Sequence, residues 1–139
     1  MKRSTCVLVA ILAAVALPAQ AEWELLRSNE SQRLSIEPKS VKSRGAEISF
    51  KYLVDFRELQ GEVGGKYQSL VVGAALRCKA RTIALRSFEL YTGARGDGVL
   101  LAMPTPKPAE KRFQPVEMGS SDEDLFKRIC EKAAPAKKK

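Results

Sequence analysis

Ala46-Glu47-Ile48-Ser49-Phe50-Lys51-Tyr52-Leu53-Val54-Asp55-Phe56 is the stretch whose pattern decides the fold. Ala46, Ile48, Phe50, Tyr52, Val54 and Phe56 alternate with Glu47, Ser49, Lys51, Leu53 and Asp55. Successive side chains of a strand point to opposite faces, so a period of two predicts a strand with one buried face.

The chain on either side repeats this logic. Residues 69–80 place Leu70, Val72, Ala74, Leu76 and Cys78 on one face and Arg77 and Lys79 on the other, so Cys78 is expected to point into the core. Residues 82–91 begin with Ile83 and Leu85 inward and continue with Phe88 and Leu90 at the opposite parity. A bulge near Arg86 and Ser87 reconciles the two halves. The glycine-rich run 92–98 reads as a turn, and 99–103 as a returning strand. Upstream, 23–26 and 33–36 are shorter strand candidates, and 38–45 reads as one helical turn between Pro38 and Gly45. Residues 60–66, with Gly61, Gly64 and Gly65, read as a mobile loop, and the prolines of 104–115 as an irregular connection.

One helix is written near the end. Ser121 and Asp124 have capping-box spacing, and Asp122 and Glu123 sit where the helix dipole favours acids. Leu125, Phe126, Ile129 and Cys130 share an apolar face. The expected fold class is therefore α+β: an antiparallel meander sheet of about five or six strands with a C-terminal helix packed on it and one disulfide.

Lys2 and Arg3 precede an apolar run over residues 6–17, followed by Pro18-Ala19-Gln20-Ala21. This order is that of a signal peptide cleaved before Glu22. The run falls short of the roughly 20 apolar residues that span a bilayer. Cys6 lies at the start of the run rather than after it, so it is discarded with the leader and offers no lipid anchor. The expected organisation is a signal peptide over 1–21, one domain over 22–132 and a disordered basic tail over 133–139. No transmembrane segment is expected in the mature chain, and the destination is the periplasm or the cell surface. In those oxidising compartments the two remaining cysteines, Cys78 and Cys130, most simply form one bridge, with two buried free thiols as the alternative.

The 139 residues contain no histidine. That removes the commonest general base, the usual partner of a nucleophilic serine or cysteine, and the commonest metal ligand. Asp55 with Glu58, and Asp122 with Asp124, are the remaining acid–base candidates, and the simpler reading gives them a strand end and a helix cap. The run 61–67 lacks the glycine spacing and the Ser or Thr of a phosphate loop. No catalytic residue, cofactor or metal site is expected, and the protein is read as a non-enzyme.

Two features point to binding. Arg95-Gly96-Asp97 falls in a predicted turn and is the tripeptide that integrins recognise when its charges project from a loop tip, although Asp97-Gly98 is equally a common hairpin dipeptide. The formal charge is +8, with Lys39, Lys42 and Arg44 clustered, Arg77, Lys79, Arg81 and Arg86 along the meander, and Lys137 to Lys139 at the end. Such a field attracts polyanions, including acidic glycans. Specific nucleic-acid reading is not expected without a stacking array or a recognisable module.

The sequence also resembles a known family, the surface-adhesin protein E-like proteins of Gram-negative bacteria. The carriers are Trp23, the run 34–41 (Leu-Ser-Ile-Glu-Pro-Lys-Ser-Val) followed by Gly45, Tyr52-Leu53-Val54-Asp55-Phe56, Ser69, Cys78, Phe113-Gln114-Pro115-Val116, Ser120 and Cys130. The resemblance implies a small antiparallel sheet joined to a helix by the disulfide. It also implies binding of host matrix or serum proteins such as vitronectin, laminin and plasminogen. The chain departs from the surface-anchored adhesin in showing no lipid-attachment cysteine at its mature start. A periplasmic envelope protein that binds anionic glycan or lipid is the alternative reading.

Overall fold

The computed structural model describes residues 22–61 and 65–131. The expected signal peptide, the expected basic tail and the centre of the expected loop at 60–66 lie outside the described residues. Among the described residues, eight strands form one antiparallel sheet: β1 (Glu24–Ser28), β2 (Gln32–Ile36), β3 (Lys42–Arg44), β4 (Glu47–Gln60), β5 (Tyr67–Arg77), β6 (Thr82–Tyr91), β7 (Leu100–Ala102) and β8 (Gln114–Pro115). Six of them run in the order β1-β2-β4-β5-β6-β7, as a meander does, while β3 pairs with β4 and β8 with β6. Helix α1 (Pro108–Lys111) lies alongside β6, and α2 (Ser121–Phe126) continues into a wider π turn over Lys127–Glu131. No helix among the described residues is long and apolar enough to cross a membrane.

The alternation in β4 produces the expected face from Ile48 to Val54, whereas Ala46 is exposed in the turn before β4 and Phe56 stands outside the core cluster, edge-on to Tyr67. Phe50 and Tyr52 join Leu34, Ile36, Val72, Ala74, Leu76 and Ile83 in one buried cluster with Leu125, Phe126 and Ile129 of the C-terminal helix. Burying a side chain of this size contributes about 1.5–3 kcal/mol, so these helix residues hold the segment onto the sheet far more strongly than helix propensity could. Burial also drives the Tyr52 phenol well above the usual tyrosine range. In β6 the pairing slips between Gly73 and Ala74, whose partners are Ser87 and Leu85, so Arg86 is the extra residue. That is the bulge the parity change demanded, and with it both Leu85 and Phe88 reach the core.

The Cys78–Cys130 disulfide closes this arrangement across a sequence separation of 52 residues, with a Cα–Cα distance of 5.5 Å. Cys78 follows the last residue of β5 and Cys130 lies in the π turn, so the bond ties the far end of the helix to the end of the central strand. Arg27 of β1 reaches Asp124 at 3.1 Å, and Arg128 pairs with Glu24, so the edge strand is tied to the same helix.

Three local expectations are corrected. The segment 38–45 is not one helical turn: a 3-10 turn covers only Pro38–Ser40, and Lys42–Arg44 pair with Glu47–Ser49 as a hairpin turning at Gly45. Gly45 has φ +61°, so its freedom serves a strand turn rather than a helix end. The capping box of Ser121 and Asp124 does not form, because Ser120 is the cap residue and Asp124 is committed to Arg27. Glu123 instead accepts the Gly119 N–H at 2.8 Å. Finally, Leu53 was assigned to a solvent face yet is wholly buried, together with Val71, Ala75 and Ala84 of the same parity. The sheet therefore has a partly covered second face.

Two outcomes test this packing. Replacing both Cys78 and Cys130 by alanine is expected to lower the unfolding free energy by about 4 kcal/mol, as the loop length implies, and a urea midpoint equal to that of the native protein would refute it. The Lys127 ammonium at 2.9 Å, aided by the Gly119 N–H, holds the Glu123 carboxyl below its ordinary value. A carboxyl depressed in the folded state stabilises fully above its unfolded value and loses that contribution as the pH falls through the folded one. Glu123→Gln should therefore flatten the acid limb of the stability profile, and an unchanged limb in pH-dependent urea melts would contradict the assignment.

Candidate functional site

With one face of the sheet closed by helix α2, the exposed polar chemistry collects on the other. Residues 92–98 leave β6, fold back over this second face and return to β7. Thr92 fixes the base of the turn: its N–H donates to the Val99 carbonyl at 3.0 Å and its Oγ1 accepts the Val99 N–H at 2.8 Å. The Gly93 N–H donates to the Asp97 carbonyl, and the Asp97 N–H to the Ala94 carbonyl, both at 3.0 Å. Gly98 has φ +82°, and a Cβ there would meet Thr92 Oγ1 at 2.3 Å, so only glycine completes the turn.

The sheet then clamps the tripeptide from below. Asp55 of β4 accepts the Arg95 N–H at 2.6 Å, and Ser69 of β5 accepts the Gly96 N–H at 2.9 Å. The Ser69 hydroxyl, fully buried, donates in turn to the Gly93 carbonyl at 2.6 Å. Gly96 sits so close over Val71 that an added Cβ would lie 3.4 Å from Val71 Cγ2. Arg95 adopts φ 60°, a left-handed conformation uncommon for a residue with a side chain, and the bond to Asp55 helps to hold it there. The backbone of Arg95-Gly96-Asp97 is thus fixed to the sheet while both charged side chains are exposed. Beside it lies a small cavity of about 110 Å³ lined by Trp23, Leu25, Arg33, Leu53, Asp55 and Arg95.

A second concavity of about 460 Å³ gathers basic residues. Lys39 of the 3-10 turn, Lys42 of β3, Lys51 of β4 and Arg86 of the β6 bulge line it, with Glu37 as its acidic member. Lys39 and Lys42 are brought together as the sequence suggested. Arg44 is not: it is exposed at the end of β3, opposite Glu47, and does not line the groove. Sequence reading passed over Lys51 and Arg86 as members of this site. Lys51 was legible as a solvent-side position of the alternating strand, but the approach of Arg86 depends on pairing across three strands.

Two of the carboxylates considered for acid–base work, Asp55 and Asp124, are held by structural contacts. Asp55 is engaged with the Arg95 N–H. Asp124 bonds Arg27, while the Asp122 carboxyl is pushed up by burial and by the nearby Glu117 charge. Residues two apart on a helix do not face each other, so Asp122 and Asp124 do not act as a couple. Among the described residues, no group of three or more Cys, Asp or Glu side chains is placed to hold a metal ion.

The family model described as surface-adhesin protein E matches residues 23–131. No curated protein sequence matches the chain. Among solved structures, the fold is similar to Haemophilus influenzae protein E, with a TM-score of 0.61 and 15% identity, over 82% of this chain and 87% of that one. A second crystal form of that protein gives a TM-score of 0.58 and 13% identity over 84% and 98% of the two chains. Protein E from a non-typeable Haemophilus influenzae gives 0.58 and 15%, over 84% and 82%.

Ser69→Ala should release the turn without opening the core. It leaves the Gly96 N–H and the Gly93 carbonyl without their partner and is expected to cost about 1–3 kcal/mol. Hydrogen exchange at Gly96 should rise more than at Val72, and equal protection of Gly96 in both proteins would show that the clamp is not there.

Proposed function

Because the chain belongs to the surface-adhesin protein E family, we propose that it is an exported, non-enzymatic adhesin that contacts host matrix or serum proteins through the second face of its sheet. The observation that carries this reading is the Arg95-Gly96-Asp97 turn, whose backbone is fixed by Asp55 and Ser69 while its two charges stand in solvent. A contact segment held rigid before binding loses little conformational entropy on association. The opposite face cannot serve, since α2 and the disulfide cover it. The leader-like residues 1–21 and the lack of histidine support export and a binding role over catalysis.

Protease treatment of intact cells tests the location. The adhesin reading expects loss of the protein, and full protection would leave the periplasmic alternative instead. Binding of the purified mature protein to immobilised vitronectin, laminin and plasminogen tests the contact. Asp97→Ala should weaken binding to a matrix partner at least tenfold with an unchanged thermal midpoint. Binding equal to that of the native protein would remove the turn from the interface.

A further inference from the structure

We propose that the groove between the 3-10 turn, β3, β4 and the β6 bulge is a separate binding site for an acidic polysaccharide, the class of sulfated or uronate-bearing glycan chains. Its cations come from different elements. Lys42 pairs in register with Ser49, and Lys51 lies directly opposite Gly73, which in turn pairs with Ser87 beside the bulged Arg86. Neighbouring strands are about 4.8 Å apart, so the positive charges are spread over several strand widths rather than focused on a point. A lone phosphate would engage one or two of them. A chain carrying repeated anionic groups engages all four.

The floor suits a chain lying flat. Gly73 has no side chain, and a Cβ there would come 2.4 Å from Ser87 Oγ, so the position is kept low by packing. Ser49 is exposed, and its hydroxyl, which donates to the Lys42 carbonyl at 3.4 Å, keeps acceptor capacity for a sugar hydroxyl. Among the described residues, Lys39, Lys42 and Lys51 form no ion pair, so their charge is available to a ligand. Arg86 is positioned: its guanidinium donates to the Lys111 carbonyl at 3.3 Å, lies 5.4 Å from the centroid of the Phe113 ring and approaches Glu47 at 3.9 Å. Glu37 and Glu47 are the acids of this neighbourhood, fewer than the four cations.

The chemistry also selects against other anions. Among the described residues, Phe50 is the aromatic side chain in the groove's lining and its ring is buried against Tyr52, while Phe113 beside Arg86 is covered by the Arg77 guanidinium at 3.9 Å, so the lining offers no open aromatic platform for nucleobases. Lysines supply point charges and flexible donors, which follow sulfates and carboxylates at varied spacing better than a fixed fork does.

The site is separate from the Arg95-Gly96-Asp97 turn, so the two readings can fail independently. The test is an NMR titration of the mature, oxidised protein with a heparin hexasaccharide at low and at moderate salt. The expected result is a shift of the Lys42, Lys51 and Gly73 amides, with affinity falling steeply as salt rises. A Lys42→Gln, Lys51→Gln double variant should lose at least tenfold in affinity, while Arg44→Gln, outside the groove, should not. Undiminished binding by the double variant would overturn the proposal, as would shifts confined to other regions. Equal affinity for a DNA duplex, or for vesicles of anionic phospholipid, would also overturn it, by reducing the site to unselective charge.

Discussion

The contact that organises the molecule is the seat of Leu125, Phe126 and Ile129 on the apolar face of β2, β4, β5 and β6, closed by the Cys78–Cys130 bond. An open antiparallel sheet of this size has two faces to manage, and a domain of this length has little core to spare. By committing α2 to one face and tying it there covalently, the chain decides which side is interior. The other side is covered only in part, over Leu53, Val71, Ala75 and Ala84, and the turn at 92–98 and the basic groove both lie there. The edge strand β1 is bound into the same decision through Arg27 with Asp124 and Glu24 with Arg128.

Much of this was legible because period two is a strong signal when the buried side chains are large. The β4 pattern, the parity change that located the bulge at Arg86, and the apolar face of α2 each follow from residues a few positions apart. What escaped depended on partners distant in sequence. Leu53 looks misplaced in an alternating strand until the turn from 92–98 is folded over it and its neighbour Val71. Pro38 and Gly45 frame a segment that resembles a helical turn, but hydrogen bonds between β3 and β4 hold it extended instead. The cap at Ser121 failed for a similar reason, since a long-range ion pair with Arg27 claimed Asp124.

The candidate site was half visible in the same way. Arg95-Gly96-Asp97, Lys39 and Lys42 could be singled out as exposed and charged. The residues that give them geometry, Asp55 and Ser69 beneath the turn and Lys51 and Arg86 around the groove, are ordinary strand residues until the register is known. Membership in the surface-adhesin protein E family places this arrangement among adhesive proteins, and the solved protein E structures share its fold at low identity. Both proposed binding sites lie on the face that α2 leaves uncovered.

The claim on which the rest depends is that the helix and the sheet form one cooperative unit through the disulfide. Native-state hydrogen exchange measures it most directly, because coupled elements open together and uncoupled ones do not. In the oxidised protein, Ile129 and Cys130 should exchange as slowly as Val72 and Leu76, and reduction should accelerate the helix amides first. A helix that exchanges freely while the oxidised sheet stays protected would contradict the account.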